Sequence, residues 1–372
     1  MFSSNLTEIL VCPETKTRIN LCTLAEAEII TKNKLAAIRE YPHKNDPAPI
    51  GPTSFILIRE DGLYGYPIIN DIPIMLFPEI LGCKDNQQAI DLSNPIYAEA
   101  YEEMAHYNKV AIQESENIRY SESYNIIKPI FAVPKENRSS FPKPKDLWLD
   151  AVYDCAGQWD AYNHMAPIKG KRILQIGGKG MHAVKFLLAG AEEAWVLSPM
   201  LGEMYCAMAL SKIAGVFNRL HCVVAVAERL PFEDNYFDAV YSGGCVHHMV
   251  TSFALPEIAR VLCSGGKLSA VDPWNTPFHA FGTRLLGKRE KNVHCRPLDE
   301  VRIEPLLNSF TESRVVHHGA LFRYPLLALE KFGISVSLKK SLFIANIDDN
   351  LSSIFPAMRD RFGGSVALLG VK

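Results

Sequence analysis

Two adjacent histidines, His247 and His248, stand in the run Ser242-Gly-Gly-Cys-Val-His-His-Met249, just after a short apolar segment. An imidazole titrates near neutrality, so either ring is a candidate general base. Asp272, which ends the next apolar segment, joins them as a third candidate catalytic residue. Beyond it, Asp272-Pro-Trp-Asn-Thr-Pro-Phe-His279 and Lys288-Arg-Glu-Lys-Asn-Val-His-Cys-Arg296 place Trp274, His279, His294 and Arg296 as candidate substrate contacts. Arginine there suits a carboxylate or phosphate. The competing reading of these stretches is a solvated charged surface. Cys245, His247, His294, Cys295 and His317 lack metal-ligand spacing, so no metal is expected.

A second chemical feature is Lys171-Arg-Ile-Leu-Gln-Ile-Gly-Gly-Lys-Gly180, an apolar run feeding a glycine-rich turn. Strand, glycine turn and helix in that order bring backbone N–H groups to a polar ligand. Gly177, Gly178 and Gly180 are therefore candidate cofactor contacts.

Elements must hold these groups together. From Ile168 onward the short apolar runs Arg172–Ile176, Ala194–Leu197, His221–Val224, Phe237–Tyr241 and Gly266–Val271 alternate with helical stretches. Arg314–His318 and Ser365–Val371 supply further strands. The alternation predicts an α/β fold: a doubly wound, mostly parallel seven-stranded sheet with helices on both faces. Ligands bind such sheets at the carboxyl ends of the strands.

Three regions are expected. Residues 1–80 read as a small α+β module: strands at Ile9–Pro13 and Phe55–Ile58, helical spacing from Leu24 to Tyr41, and two strands around an Asn70-Asp71 turn. Residues 81–167 read as a helical cap and linker, with helices at Pro95–Tyr107 and Leu147–Met165. Its aromatics, Tyr97, Tyr101, Tyr107, Trp148, Tyr153, Trp159 and Tyr162, with His164, either cover a bound cofactor or pack on the core. Tyr101 is also placed among the substrate contacts. Residues 168–372 form the main α/β domain.

The stretch from Lys171 to Asp272, with Ala227-Glu-Arg-Leu-Pro-Phe and Cys263-Ser-Gly-Gly-Lys as its later landmarks, resembles the class I S-adenosylmethionine-dependent methyltransferases of small-molecule type. The resemblance implies a Rossmann-like fold, S-adenosylmethionine as cofactor and a small-molecule acceptor. It also implies which positions hold the cofactor. Gln175 stands where the family has an acid, and Lys179 and Met181 where it has the next two glycines. At the ribose-clamping acid stands Val196 or Ser198, with Glu203 a substitute one turn into the following helix. Val226 replaces the adenine-binding aspartate, leaving Ala227 and Glu228 as contacts, and Gly243 borders the same ligand. The N-terminal Leu10-Val-Cys-Pro-Glu-Thr-Lys16 and Tyr66-Pro-Ile-Ile-Asn-Asp-Ile-Pro-Ile-Met-Leu76 resemble the small zinc-ribbon-like methyltransferase-activator family, without its metal ligands.

Composition narrows the remaining choices. With 372 residues, 48% hydrophobic and 22% charged, the chain can bury a large core. A net charge of −2 argues against nucleic acid as a partner. No apolar run spans a bilayer, so no membrane partner is expected. The start lacks an export signal, and nine scattered cysteines read as reduced thiols, so a cytoplasmic location is expected. A homo-oligomer remains open. The favoured reading is methyl transfer to oxygen, nitrogen or sulfur of a small molecule. The competing readings are a tRNA, rRNA or translation-factor methyltransferase, and a silent binding protein that kept the fold and lost the cofactor.

Overall fold

The computed structural model describes residues 4–23, 25–27, 55–62, 64–76, 79–80, 107–116, 154–277, 279, 296–334 and 336–372. The N-terminal part forms a small antiparallel sheet of β1 (Ile19–Thr23), β2 (Phe55–Arg59), β3 (Tyr64–Ile69), β4 (Ile72–Pro73) and β5 (Glu79–Ile80). Asn70 and Asp71 take positive φ between β3 and β4, as a tight hairpin needs. Two expectations shift here. The run Ile9–Pro13 holds only bridging residues, Leu10 and Val11, behind a 3₁₀ turn at Ser4–Glu8. Strand β1 is an additional element, with Ile19 and Cys22 turned inward.

The main sheet comprises β6 (Arg172–Ile176), β7 (Glu193–Ser198), β8 (Leu220–Val224), β9 (Phe237–Gly243), β10 (Leu262–Pro273), β11 (Glu312–His318) and β12 (Ser365–Val371). Its order is β11-β12-β10-β9-β6-β7-β8. Strands β6 to β10 run parallel, and β12 lies antiparallel to both β10 and β11. This is the mostly parallel seven-stranded α/β sheet expected from the alternation. Its inner strands read as near-continuous apolar runs because both faces are buried.

On one face α1 (Cys155–Met165), α2 (Met181–Leu188) and α3 (Leu201–Ile213) pack Tyr162, Phe186 and Met204 against Ile173, Val196 and Tyr241. On the other, α4 (Thr251–Val261) and α5 (Glu300–Ser309) pack Ile258 and Leu306 against Leu174 and Trp195. The small sheet adds Leu10, Leu57 and Tyr66 to that second core. Between β11 and β12 lie α6 (Arg323–Lys331), α7 (Leu338–Ser353) and α8 (Pro356–Phe362). Among the described residues no helix is long and apolar enough to cross a membrane.

The N-terminal part grips the main sheet by backbone and charge. Met75 donates to the Val224 carbonyl at 2.7 Å, and Val11 to the Pro231 carbonyl at 3.1 Å. Lys16 Nζ donates to Glu257 Oε2 at 2.6 Å and to the Leu230 carbonyl at 3.2 Å. Burial alone would raise the Glu257 carboxyl, but hydrogen bonds from Arg260 and Lys16 outweigh it and hold the group below the usual carboxylate range. Lys16→Ala removes one charged donor from this half-buried knot. It should cost about 1–3 kcal/mol, read as a lower urea midpoint at unchanged slope, with Lys16→Arg losing less.

Candidate functional site

The chemistry-bearing residues gather at the carboxyl ends of β6 to β10. Right after β6, Gly177, Gly178 and Gly180 take φ of 76°, 74° and 80°. A side chain at Gly177 would run into Cys245 Sγ at 2.3 Å, and one at Gly180 into Ala207 Cβ at 2.3 Å. Gln175 staples the turn from below: Oε1 accepts the Ala183 N–H at 2.7 Å and Nε2 donates to the Gly177 carbonyl at 2.7 Å. Gln175 is buried and Gly180 is packed on α3, so neither faces the cleft, contrary to their expected role as cofactor contacts. Both instead fix the turn.

A cleft of about 910 Å³, open to solvent, lies over this turn. Gly177 and Gly178 form its floor, and Leu197, Val226 and Val250 give it apolar walls. Ser198, Glu203, Ala227 and Glu228 line it as expected, and His248, Cys245 and Met249 close one end. Ser198 Oγ donates to Glu203 Oε2 at 2.6 Å, so the hydroxyl at the end of β7 is backed by a carboxyl from α3. Burial pushes the Glu203 carboxyl up; the Ser198 hydroxyl, Lys179 and the Gly178 amide pull against it. Glu228 Oε1 accepts the Val250 N–H at 2.7 Å and thereby pins the loop that carries the histidines. Lys179 and Met181 do not line the cleft: Lys179 is ion-paired with Glu114, and Met181 packs on the core.

Tyr107 opens the helical segment 107–116 that roofs the cleft. Asn108 Oδ1 accepts the Gly202 N–H at 2.7 Å, and a Cβ on Gly202 would meet the Ile112 nitrogen at 2.7 Å. Of the other aromatic cap candidates, Tyr162 is fully buried, Trp159 packs on the core and His164 faces the Gly370 carbonyl at 3.1 Å. These three pack. Tyr97, Tyr101, Trp148, Tyr153 and His294 lie outside the described residues.

A second cleft, about 510 Å³, adjoins the first at Gly244. Asp154, Gln158, His182 and Tyr241 line it together with Gly243, which therefore belongs to this cleft and not to the first. His182 Nδ1 lies 2.6 Å from the Tyr162 hydroxyl. Neither His182 nor Gln158 was expected. The signal for His182 was its place in the first turn of the helix after the glycines.

The histidine loop is held by Asp272. Its Oδ1 accepts both the His247 backbone N–H (3.0 Å) and His247 Nδ1–H (2.7 Å). The Asp272 side chain has 0% exposure and orients His247, and the residue lies along the wall of the second cleft. Holding Nδ1–H leaves the Nε2 lone pair of His247 as the basic position. The two imidazoles lie 3.9 Å apart, and His248 reaches the main cleft. Trp274 is buried edge-on against His317, which makes it a packing residue instead of a substrate contact. His279 is half-buried, and burial lowers its basicity. Arg296 lies at the surface, where its carbonyl accepts from Arg302.

Residues 175–270 match the family described as methyltransferase domain. The ubiquinone/menaquinone biosynthesis C-methyltransferase UbiE of Vibrio cholerae is 32% identical over 130 residues, 34% of this chain and 46% of that protein. The tRNA U34 carboxymethyltransferase of Psychrobacter arcticus is 26% identical over 132 residues, 33% of this chain and 38% of that protein. The chain thus spans about half the length, or less, of the curated relatives it matches. Among solved structures, geranyl diphosphate C-methyltransferase from Streptomyces coelicolor aligns with a TM-score of 0.43 and 11% identity, over 58% of this chain and 78% of that one. Residues 175–270 are thus similar to methyltransferase domains, a class to which the sequence resemblance also points. S-adenosylmethionine is the methyl donor of that class, and the apolar slot with a hydroxyl–carboxyl pair at its side fits such a group.

Two outcomes follow from this geometry. Gly180→Ala combines a left-handed φ with a backbone-level clash, and should lower stability by roughly 2–5 kcal/mol in urea unfolding. His318 lies between Asp160 (3.1 Å) and Asp349 (3.1 Å). Burial opposes its charge, but the two carboxylates prevail and raise it from 6.5 to about 9. Because the folded value is the higher one, this stabilisation is complete below about pH 6.5 and is lost as pH rises through 9. Stability should fall by on the order of 3 kcal/mol across that window, and His318→Gln should flatten the fall.

Proposed function

We propose that the chain is a methyltransferase that moves a methyl group from S-adenosylmethionine to oxygen, nitrogen or sulfur of a small molecule in the cytoplasm. The observation that carries this reading is the pair of adjoining clefts, one over the glycine turn and lined by His248, one beside it and lined by Asp272, whose carboxylate holds His247. The cofactor supplies a methyl group already activated on a sulfonium, so the protein's task is alignment and removal of the acceptor's proton. Ser198 and Glu203 would hold the ribose hydroxyls, and Val226 and Ala227 the adenine. His247, with Nδ1 tied to Asp272, presents Nε2 to take the proton from the acceptor.

An activated carbon acceptor is the second reading, favoured by the name of the Vibrio cholerae relative. It asks the same of His247, because such a carbon also loses a proton. The N-terminal part fits a fused, metal-free relative of the activator family. Its Cys12 thiol is buried 3.0 Å from the Tyr66 hydroxyl, and it grips the Ala227–Glu233 segment that borders the cleft.

Calorimetry with S-adenosylmethionine and its demethylated product checks the cofactor. Binding should be measurable, and Glu203→Ala should weaken it about tenfold or more, which is about 1.4 kcal/mol. No heat at millimolar ligand would leave the silent binding protein as the answer. With labelled cofactor and metabolite fractions, His247→Gln should cut turnover by about 10²–10⁴-fold while cofactor affinity stays unchanged.

A further inference from the structure

The insert between β11 and β12 carries large apolar side chains in water. Phe332 is 76% exposed, Phe343 66% and Ile334 53%. The first and third follow the end of α6, where backbone bonds from Phe332, Gly333 and Ile334 to Ala328, Glu330 and Leu329 close the helix. Phe343 lies one and a half turns into α7, three and four residues after Lys340 and Lys339, so these three side chains share a helical face. The opposite face of α7 is spoken for. Ser341, Asp348 and Ser352 are buried, and Asp348 accepts the amides of Leu321 and Phe322 at 3.0 and 2.7 Å.

Charge around the aromatics leans positive: exposed Glu330 precedes Lys331, while Asp348 and Asp349, which follow, are engaged with the Phe322 amide and with His318. From Lys331 to Ile347 the sequence holds three lysines and no aspartate or glutamate, in a chain whose net charge is −2. Exposed apolar groups interspersed with lysine along the chain are the pattern of a surface that lies on an anionic bilayer: rings enter the headgroup boundary while lysine stems keep their ammonium ends at the phosphates. A second copy of the chain suits the patch less well. A two-fold contact there would set three lysines against three lysines, with Glu330 the one adjoining carboxylate in each copy.

The geometry points to this corner of α6 and α7 as a docking surface for an anionic lipid membrane. The expectation of no membrane partner rested on the lack of a spanning helix, and surface docking requires none. The docked insert also reaches the catalytic end of the sheet, since Arg323 at the start of α6 donates to Asp154 of the second cleft at 2.8 Å.

Co-sedimentation of the full chain with phosphatidylcholine vesicles, with and without phosphatidylglycerol, tests this. The parent should bind the anionic vesicles and not the neutral ones, and added salt should release it. Phe332→Ser/Phe343→Ser and Lys339→Glu/Lys340→Glu should each weaken binding at least tenfold. All four positions are exposed, so circular dichroism melts should match the parent. Three results overturn the inference: no binding to anionic vesicles, equal binding by parent and both variants, or concentration-dependent self-association that the same substitutions abolish while vesicle binding is absent.

Discussion

The constraint on which the site depends is the close backbone approach at the turn after β6. Three glycines with positive φ in four residues let α2 start hard against α3, and Cys245 and Ala207 occupy the space that side chains at Gly177 and Gly180 would need. The buried carboxamide of Gln175 then ties the turn to the first turn of α2. A carboxamide can do this from both ends, as acceptor and as donor, whereas an ionised acid could only accept. The change from an acid at this position thus favours a rigid turn over a negative charge beside the ligand.

A carboxyl returns elsewhere. Ser198 stands at the end of β7, one of the two positions, with Val196, that the resemblance gives for a ribose-binding acid, and Glu203 delivers its carboxyl to that hydroxyl from five residues on. A similar indirection governs the histidine loop. Asp272 has 0% side-chain exposure and acts on His247, holding ring and backbone together. Its Oδ2 finds no hydrogen-bond partner among the described residues. A buried, half-satisfied carboxylate is costly unless its charge is balanced nearby.

Much of the fold was legible because it is written in local patterns. The strand runs at Arg172–Ile176 and Ser365–Val371 were found to the residue, since both are apolar runs bounded by turns. Strand β1 escaped because Asn20 and the small Cys22 dilute its alternation. The site was legible in its parts and not in its roles. Glycines, histidines and the Ser198–Glu203 pair could be picked out by type and order. Whether a group faces the cleft depends on which face of a strand it leaves, and one residue of register decides that. Gln175 changed role for this reason, whereas Gly180 packs on α3 within the turn and Trp274 on His317 just past β10. His182 needed the three-dimensional meeting of α2 with the end of β9.

The C-terminal insert shows how a segment without recognisable motifs can still bear on function. Besides Leu342 and Ala345 of α7, which pack on the first core, it is fastened by polar clamps: His318 bridges α1 and α7 through Asp160 and Asp349, Asp348 caps the loop before α6, and Arg323 holds Asp154. Such clamps are directional, so they fix the insert's orientation while leaving its outer apolar residues unburied. An insert anchored by packing would have spent Phe332 and Phe343 on the core. Here anchoring and surface are separated, and the same α1 that receives two of the clamps lines the second cleft.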